Sequence, residues 1–177
     1  MRKFVLTFGL IAGGMLAVLL ILTQVVIGEE FLDHGAIIGY TGMVAAFLMV
    51  YFGVRAYRDH LGGKPLSFGR AFAAGILITV VASACYVATW EVIVYKFTPD
   101  FADKYAAHEL RKAREAHATD AEIAKIEKDM QMFKQLYANP LVNIALTFLE
   151  PLPVGLVFAI VTAVVMSRKR KDELAVA

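Results

Sequence analysis

At 177 residues, with 59% hydrophobic and only 19% charged residues, the chain is too apolar for an ordinary soluble domain, and its apolar residues fall in blocks. A net charge of +2 gives no reason to expect a nucleic-acid partner, so the placement of the 18 Lys and Arg is more informative than their sum. The single cysteine, Cys85, excludes an internal disulfide framework.

The first block, 4–27, contains no charged residue and, at about 1.5 Å per residue, is long enough to cross a hydrocarbon core of roughly 30 Å. Arg2 and Lys3 precede it, but it ends in Val-Val-Ile-Gly with no Ala-x-Ala-like cleavage site, which predicts an uncleaved signal anchor. A short acidic connection, Glu29, Glu30, Asp33 and His34, leads to a second span at about 35–54. That cluster lacks a recognised ligand spacing and is expected to be a solvated loop. The basic segment 55–64, with Gly62-Gly63 and Pro65, supplies a tight turn. A third span, about 68–97, carries Arg70 and Glu91 near opposite ends and stops at Thr98-Pro99. A fourth, about 141–166, contains Glu150, Pro151 and Pro153 and stops before Arg168-Lys169-Arg170-Lys171. The two prolines should bend it, since each lacks a backbone donor and crowds the preceding turn.

Segment 98–139 reads as a helical hairpin. Thr119-Asp120-Ala121-Glu122 fits a capping box. Ile123, Ile126, Met130, Phe133 and Tyr137 then alternate at spacings of three and four, a seam that requires a partner. The first arm offers Phe101, Tyr105 and Leu110 with several alanines. The fold class is therefore all-α: one polytopic membrane domain over 1–177, with four transmembrane helices and an extracytoplasmic helical hairpin between helices 3 and 4.

Orientation follows from cations in short flanks. With both termini in the cytoplasm, Arg2, Lys3, Arg55, Arg58, Lys64, Arg70, Arg168, Lys169, Arg170 and Lys171 all lie inside, and the first outer connection has no cation. The hairpin carries basic and acidic residues in near balance, and long loops translocate largely regardless of charge. The expected location is a bacterial inner membrane, where the cations meet lipid headgroups.

Polar residues inside the spans mark a candidate site, because charge in a bilayer is costly and usually faces the protein interior. Glu150 is ten residues beyond Pro140, roughly 15 Å along its helix, and Glu91 is 21 residues beyond Arg70, about 31 Å along its own. Asn143, Thr147 and Glu150, at i, i+4 and i+7, share a face. Gln24, Tyr40 and Thr41 lie at similar depth, and Tyr95 is one turn beyond Glu91. One reading is an outward-facing polar pocket of Glu91, Glu150, Asn143 and Thr147 with Gln24 and Tyr95, suited to proton or cation coupling. The other has Glu150 satisfying backbone groups freed by Pro151 and Pro153 while Glu91 reaches the interface.

Ala71, Gly75, Thr79 and Ser83 form a small-residue ridge at spacing four, and Gly9 with Gly13 repeats the theme. Such ridges serve close packing, within one chain or across a homo-oligomer. His108 and His117 do not share a helical face, Ser67, Ser83 and Cys85 have no His or acid at an interpretable spacing, and no phosphate-binding loop is present. No metal, cofactor or enzymatic activity is expected.

The chain resembles the bacterial membrane-protein family known as domain of unknown function 4199. The resemblance rests on Gly53-Val54-Arg55-Ala56-Tyr57-Arg58-Asp59 and on Leu66-Ser67-Phe68-Gly69-Arg70-Ala71-Phe72 leading to Gly75. It continues through Tyr86, Trp90, Asp100-Phe101, Tyr105, Tyr137 and Asn139-Pro140 to Glu150-Pro151-Leu152-Pro153-Val154-Gly155. Ala118 stands where a glycine-like turn between the hairpin helices is expected. The resemblance implies a multi-pass membrane protein and brings no activity or catalytic set. The leading functional expectation is an envelope interaction or assembly component with an extracytoplasmic protein partner. The alternative is a small ion- or proton-coupled transporter using Glu150 and Glu91.

Overall fold

The computed structural model describes residues 1–27 and 31–168, of which 25–27, 31–34 and 36 are described by their backbone alone. The expected acidic connection at Glu29 and Glu30, the side chains of Asp33 and His34, and the cations Lys169, Arg170 and Lys171 lie outside what is described. Among the described residues the regular structure is entirely helical: α1 Arg2–Ile21, a π-helical continuation Leu22–Ile27, α2 Phe31–His60, α3 Phe68–Lys96, α4 Phe101–Glu115, α5 Asp120–Tyr137, α6 Pro140–Leu149 and α7 Leu152–Ser167.

Four stretches are long and apolar enough to cross a membrane: Arg2–Gln24, Ile37–His60, Phe68–Lys96 and Pro140–Ser167. The chain is a membrane protein. Its large exposed side chains fit that setting, since Leu10, Val18, Val157 and Val161 stand on the outer surface of the bundle, where lipid would cover them. The second helix continues six residues beyond the expected limit of its span, because hydropathy marks what the bilayer covers and does not end a helix. Its last turns carry Arg55 and Asp59 at i, i+4, with Nε 3.7 Å from Oδ2. Gly62 and Gly63, both at positive φ, then turn the chain toward α3.

The fourth span breaks where the prolines stand. Glu150 and Pro151 keep near-helical dihedrals, so the break is a bend between α6 and α7 and not an unwound loop. Pro151 and Pro153 lack the amides that would otherwise bond the carbonyls of Thr147 and Leu149.

Packing differs on the two sides of this bend. On one side α7 lies against α3 and α2, and α1 lies against α3 and α2, which closes a four-helix arrangement around Leu16, Phe47, Val50 and Ile78. The small-residue ridge is used within the chain: a Cβ added at Gly75 would sit 3.1 Å from the Cα of Ala159, and one at Gly9 2.7 Å from the Cβ of Val81. Thr79 faces Gly155, Gly13 faces Cys85, and Ala71, Thr79 and Ser83 are fully buried. At this end Leu66 N–H donates to the Met166 carbonyl at 3.1 Å, fastening the basic α2–α3 turn to the end of α7. Beyond the bend, α6 packs on α3 and α5 and makes no comparable contact with α2. The bundle is therefore closed at its basic end and splayed at the end that carries the hairpin.

Candidate functional site

The hairpin is built from local signals. In α5, Thr119 Oγ1 accepts from the Glu122 amide while the Glu122 carboxylate accepts from the Thr119 amide at 2.8 Å, a closed capping box. The Thr119 amide, together with the Thr119 hydroxyl, which donates to Glu122 Oε2 at 2.8 Å, holds the Glu122 carboxyl below the usual carboxylate range. The turn ending α4 places His117, not Ala118, in the left-handed region at φ 56°. The His117 amide donates to the Arg114 carbonyl and the Ala118 amide to the Ala113 carbonyl, each at 3.0 Å, which is the Schellman arrangement.

Aromatic rings then seat the hairpin on the bundle. Phe101 meets Trp90 edge-on at 4.9 Å between ring centroids and lies 5.8 Å from Tyr137, and Tyr105 lies 5.4 Å from Phe133. Trp90, 6% exposed, donates its indole N–H to the Tyr137 hydroxyl at 2.6 Å. Asn143, 1% exposed, is a second hydrogen-bond partner of that hydroxyl, and its Oδ1 accepts from Thr147 Oγ1 at 3.1 Å. Burial pushes the Tyr137 phenol well above its ordinary range; the hydrogen bonds from Trp90 and Asn143 oppose the shift and the acids Glu91 and Glu150 add to it. One polar chain thus joins α3, α5 and α6.

Beneath the hairpin, between α1 and α2 on one side and α3 and α6 on the other, is a cavity of about 680 Å³. Glu150 and Thr147 line it from α6, Tyr86 and Trp90 from α3, Gln24 and Tyr40 from the first two spans, and Phe101, Tyr105 and Phe133 from the hairpin. Glu150 accepts a hydrogen bond from the Tyr86 hydroxyl at 3.0 Å and is otherwise open to the cavity. That hydroxyl, rather than backbone freed by Pro151 and Pro153, is its hydrogen-bond partner.

The residues singled out from sequence separate into two groups. Glu150, Thr147 and Gln24 line the cavity, with Asn143 behind Thr147 on the same face of α6. Glu91 and Tyr95 stand apart from the cavity wall: Tyr95 is 57% exposed, and Glu91 is half-buried with Oε1 lacking a hydrogen-bond partner among the described residues. The cause is helical phase. At 3.6 residues per turn, Glu91 and Tyr95 lie about 140° and 180° around α3 from Tyr86, whereas Trp90, at i+4, lies within about 40°. The same phase was available to identify Tyr86 and Trp90 as the cavity face of α3. Of the cations, Arg58 Nη2 meets Asp59 Oδ1 at 3.0 Å and Arg55 shares that acid, and Lys64, Arg70 and Arg168 lie at the closed end.

Residues 7–168 match the family described as Protein of unknown function (DUF4199), and the chain belongs to that family. No curated protein and no solved structure matches it.

Proposed function

We propose that this DUF4199 protein is a small ion- or proton-coupled carrier, not an enzyme, that takes its ligand at Glu150. The observation that carries the reading is an accessible carboxylate, at the bend of a broken membrane helix, lining a cavity of about 680 Å³. Broken spans with carbonyls released from helical bonding recur at the binding sites of membrane carriers, and an intramembrane carboxylate is the natural group to exchange a proton for a cation. The carrier sits in a bacterial inner membrane with both termini in the cytoplasm and the α4–α5 hairpin outside. The flanking cations support that orientation, and they would rest against anionic headgroups. Reporter fusions at His117 and Ala177 test it, and an external C-terminus would overturn it.

The coupling is tested with full-length protein in liposomes loaded at low internal pH. External inorganic and organic cations are added in turn, and proton efflux is read with an entrapped dye. E150Q preserves an acceptor for Tyr86 and should keep the thermal midpoint while reducing evoked efflux to that of protein-free liposomes. Equal efflux from E150Q and the unmodified chain, or no efflux with any cation, removes the carrier reading.

A second reading, an envelope interaction or assembly role for the hairpin, is favoured by Met132 and Leu136, which stand exposed at i, i+4 on α5. Cross-linking from Met132 in intact cells to an envelope protein, together with Glu150-independent behaviour, would support it over the carrier.

A further inference from the structure

We propose that the ligand of this cavity is a lipophilic organic cation, with the Glu150 carboxylate as its counter-ion and aromatic rings as its walls. The inference rests on the carrier reading and names its substrate class. Charge is the first ground. Glu109 and Lys112 reach the cavity from α4 with opposite signs, one helical turn apart, which leaves the Glu150 carboxylate as the unbalanced charge among the described lining residues. Its carboxylate accepts from Tyr86 and retains acceptor capacity for a guest.

The walls are the second ground. Tyr40, Tyr86, Trp90, Phe101, Tyr105 and Phe133 border the space, and aromatic faces attract cations held within about 6 Å. The Trp90 N–H and the Tyr86 hydroxyl are already engaged within the protein, so these two offer a guest their rings rather than their donors. A carboxylate set among such walls repels an anion. A bare metal ion is equally ill served, because it requires several oxygen ligands at about 2.0–2.6 Å.

Size and access are the third ground. A space of about 680 Å³ falls within the roughly 300–1,000 Å³ range of sites for drug-sized molecules. It lies where α6 departs from α2, and Ile37, Tyr40 and Leu146 on its border are exposed side chains of membrane spans. A guest partitioned into the bilayer therefore reaches Glu150 from the side.

Trp90 is the chain's sole tryptophan and lines the cavity, so its fluorescence reports occupancy directly. Purified full-length protein is titrated with tetraphenylphosphonium, with tetraphenylborate of matching shape and opposite charge, and with neutral triphenylphosphine oxide. Tetraphenylphosphonium should quench Trp90 saturably and bind more tightly than the other two. E150Q should weaken it by roughly thirty-fold or more, the scale of losing one partner of a desolvated charge pair. E150D should restore part of the loss, and affinity should fall with pH as a proton occupies the carboxylate. Where E150Q fails to fold, E150D and the phosphonium-to-borate ratio of the unmodified chain decide. If the borate or the oxide binds as tightly, or E150Q binds as the unmodified chain does, the cation assignment is overturned; the carrier reading then stands provided that proton efflux still depends on Glu150. If no probe alters Trp90 and no cation evokes efflux, both fail.

Discussion

Replacing Tyr137 with Phe removes one oxygen and should loosen the whole hairpin. That oxygen is shared by two donors that are almost fully enclosed, the Trp90 indole N–H at 2.6 Å and the Asn143 side chain. A buried donor left without its acceptor costs about 1–3 kcal/mol, so a loss near 2 kcal/mol is expected, which corresponds to roughly thirty-fold more frequent opening of α4–α5 from the bundle. The ion pair Lys134–Asp103 provides an internal comparison, because Nζ and Oδ1 are also 2.6 Å apart while the two side chains are 41% and 74% exposed. At equal distance the exposed pair is worth only about 0.2–1 kcal/mol, so K134A should change opening by about five-fold or less. Amide hydrogen exchange of α4 and α5 in lipid nanodiscs measures both variants against α3 as reference. Interhelical hydrogen bonds in membranes average about 0.6 kcal/mol, near three-fold. A Y137F effect at or below that level, or one no larger than that of K134A, would refute the view that this shared hydroxyl holds the hairpin down.

Other expectations follow from single features. The Glu122 carboxyl is held low by Thr119, so its support of α5 is complete above the ordinary carboxylate range and is lost as pH falls through its depressed value; exchange of the Asp120–Ile123 amides should rise on acidification, and E122Q should abolish that pH dependence. Replacing His117, at φ 56°, with Gly should stabilise the turn by about 0.5–1 kcal/mol, and with Val should destabilise it by about 1–2 kcal/mol, read from the same exchange experiment. Leu at Gly75 should force α3 from α7 at Ala159 and cost about 1–3 kcal/mol in a thermal or denaturant titration in detergent, with Ala the milder change.

The membrane spans were legible because length and apolarity are properties of a segment by itself, and α3 begins where the sequence placed it. The capping box at Thr119 and Glu122 and the bend at Pro151 were legible for the same reason: each needs only neighbours in sequence. The extent of α2 was less so, since its last turns are polar and held by charge pairs that hydropathy does not count. Least legible was the membership of the cavity. Depth along a helix was readable for Glu91 and Glu150 alike, but rotational phase decides which side chain meets a neighbour, and Glu91 is turned away from the face that carries Tyr86 and Trp90. Tyr137 meets Trp90 across 47 positions of chain, a contact that no local periodicity encodes. The left-handed residue of the hairpin turn fell on His117 because the Schellman geometry is counted from the last helical carbonyls, one position before the expected Ala118.

The bend in the fourth span also has a mechanical meaning. Because α6 is tied to the base of the hairpin through Asn143 and Tyr137, and to α3 through Trp90 and direct packing, the segment from Pro140 to Leu149 is a short lever whose fulcrum is Pro151. Its arm is about 15 Å, so a turn of about 10° at the fulcrum carries its far end about 2.6 Å. The same displacement is delivered to the hairpin above, and it works against the Trp90–Tyr137 hydrogen bond that holds the hairpin to α3.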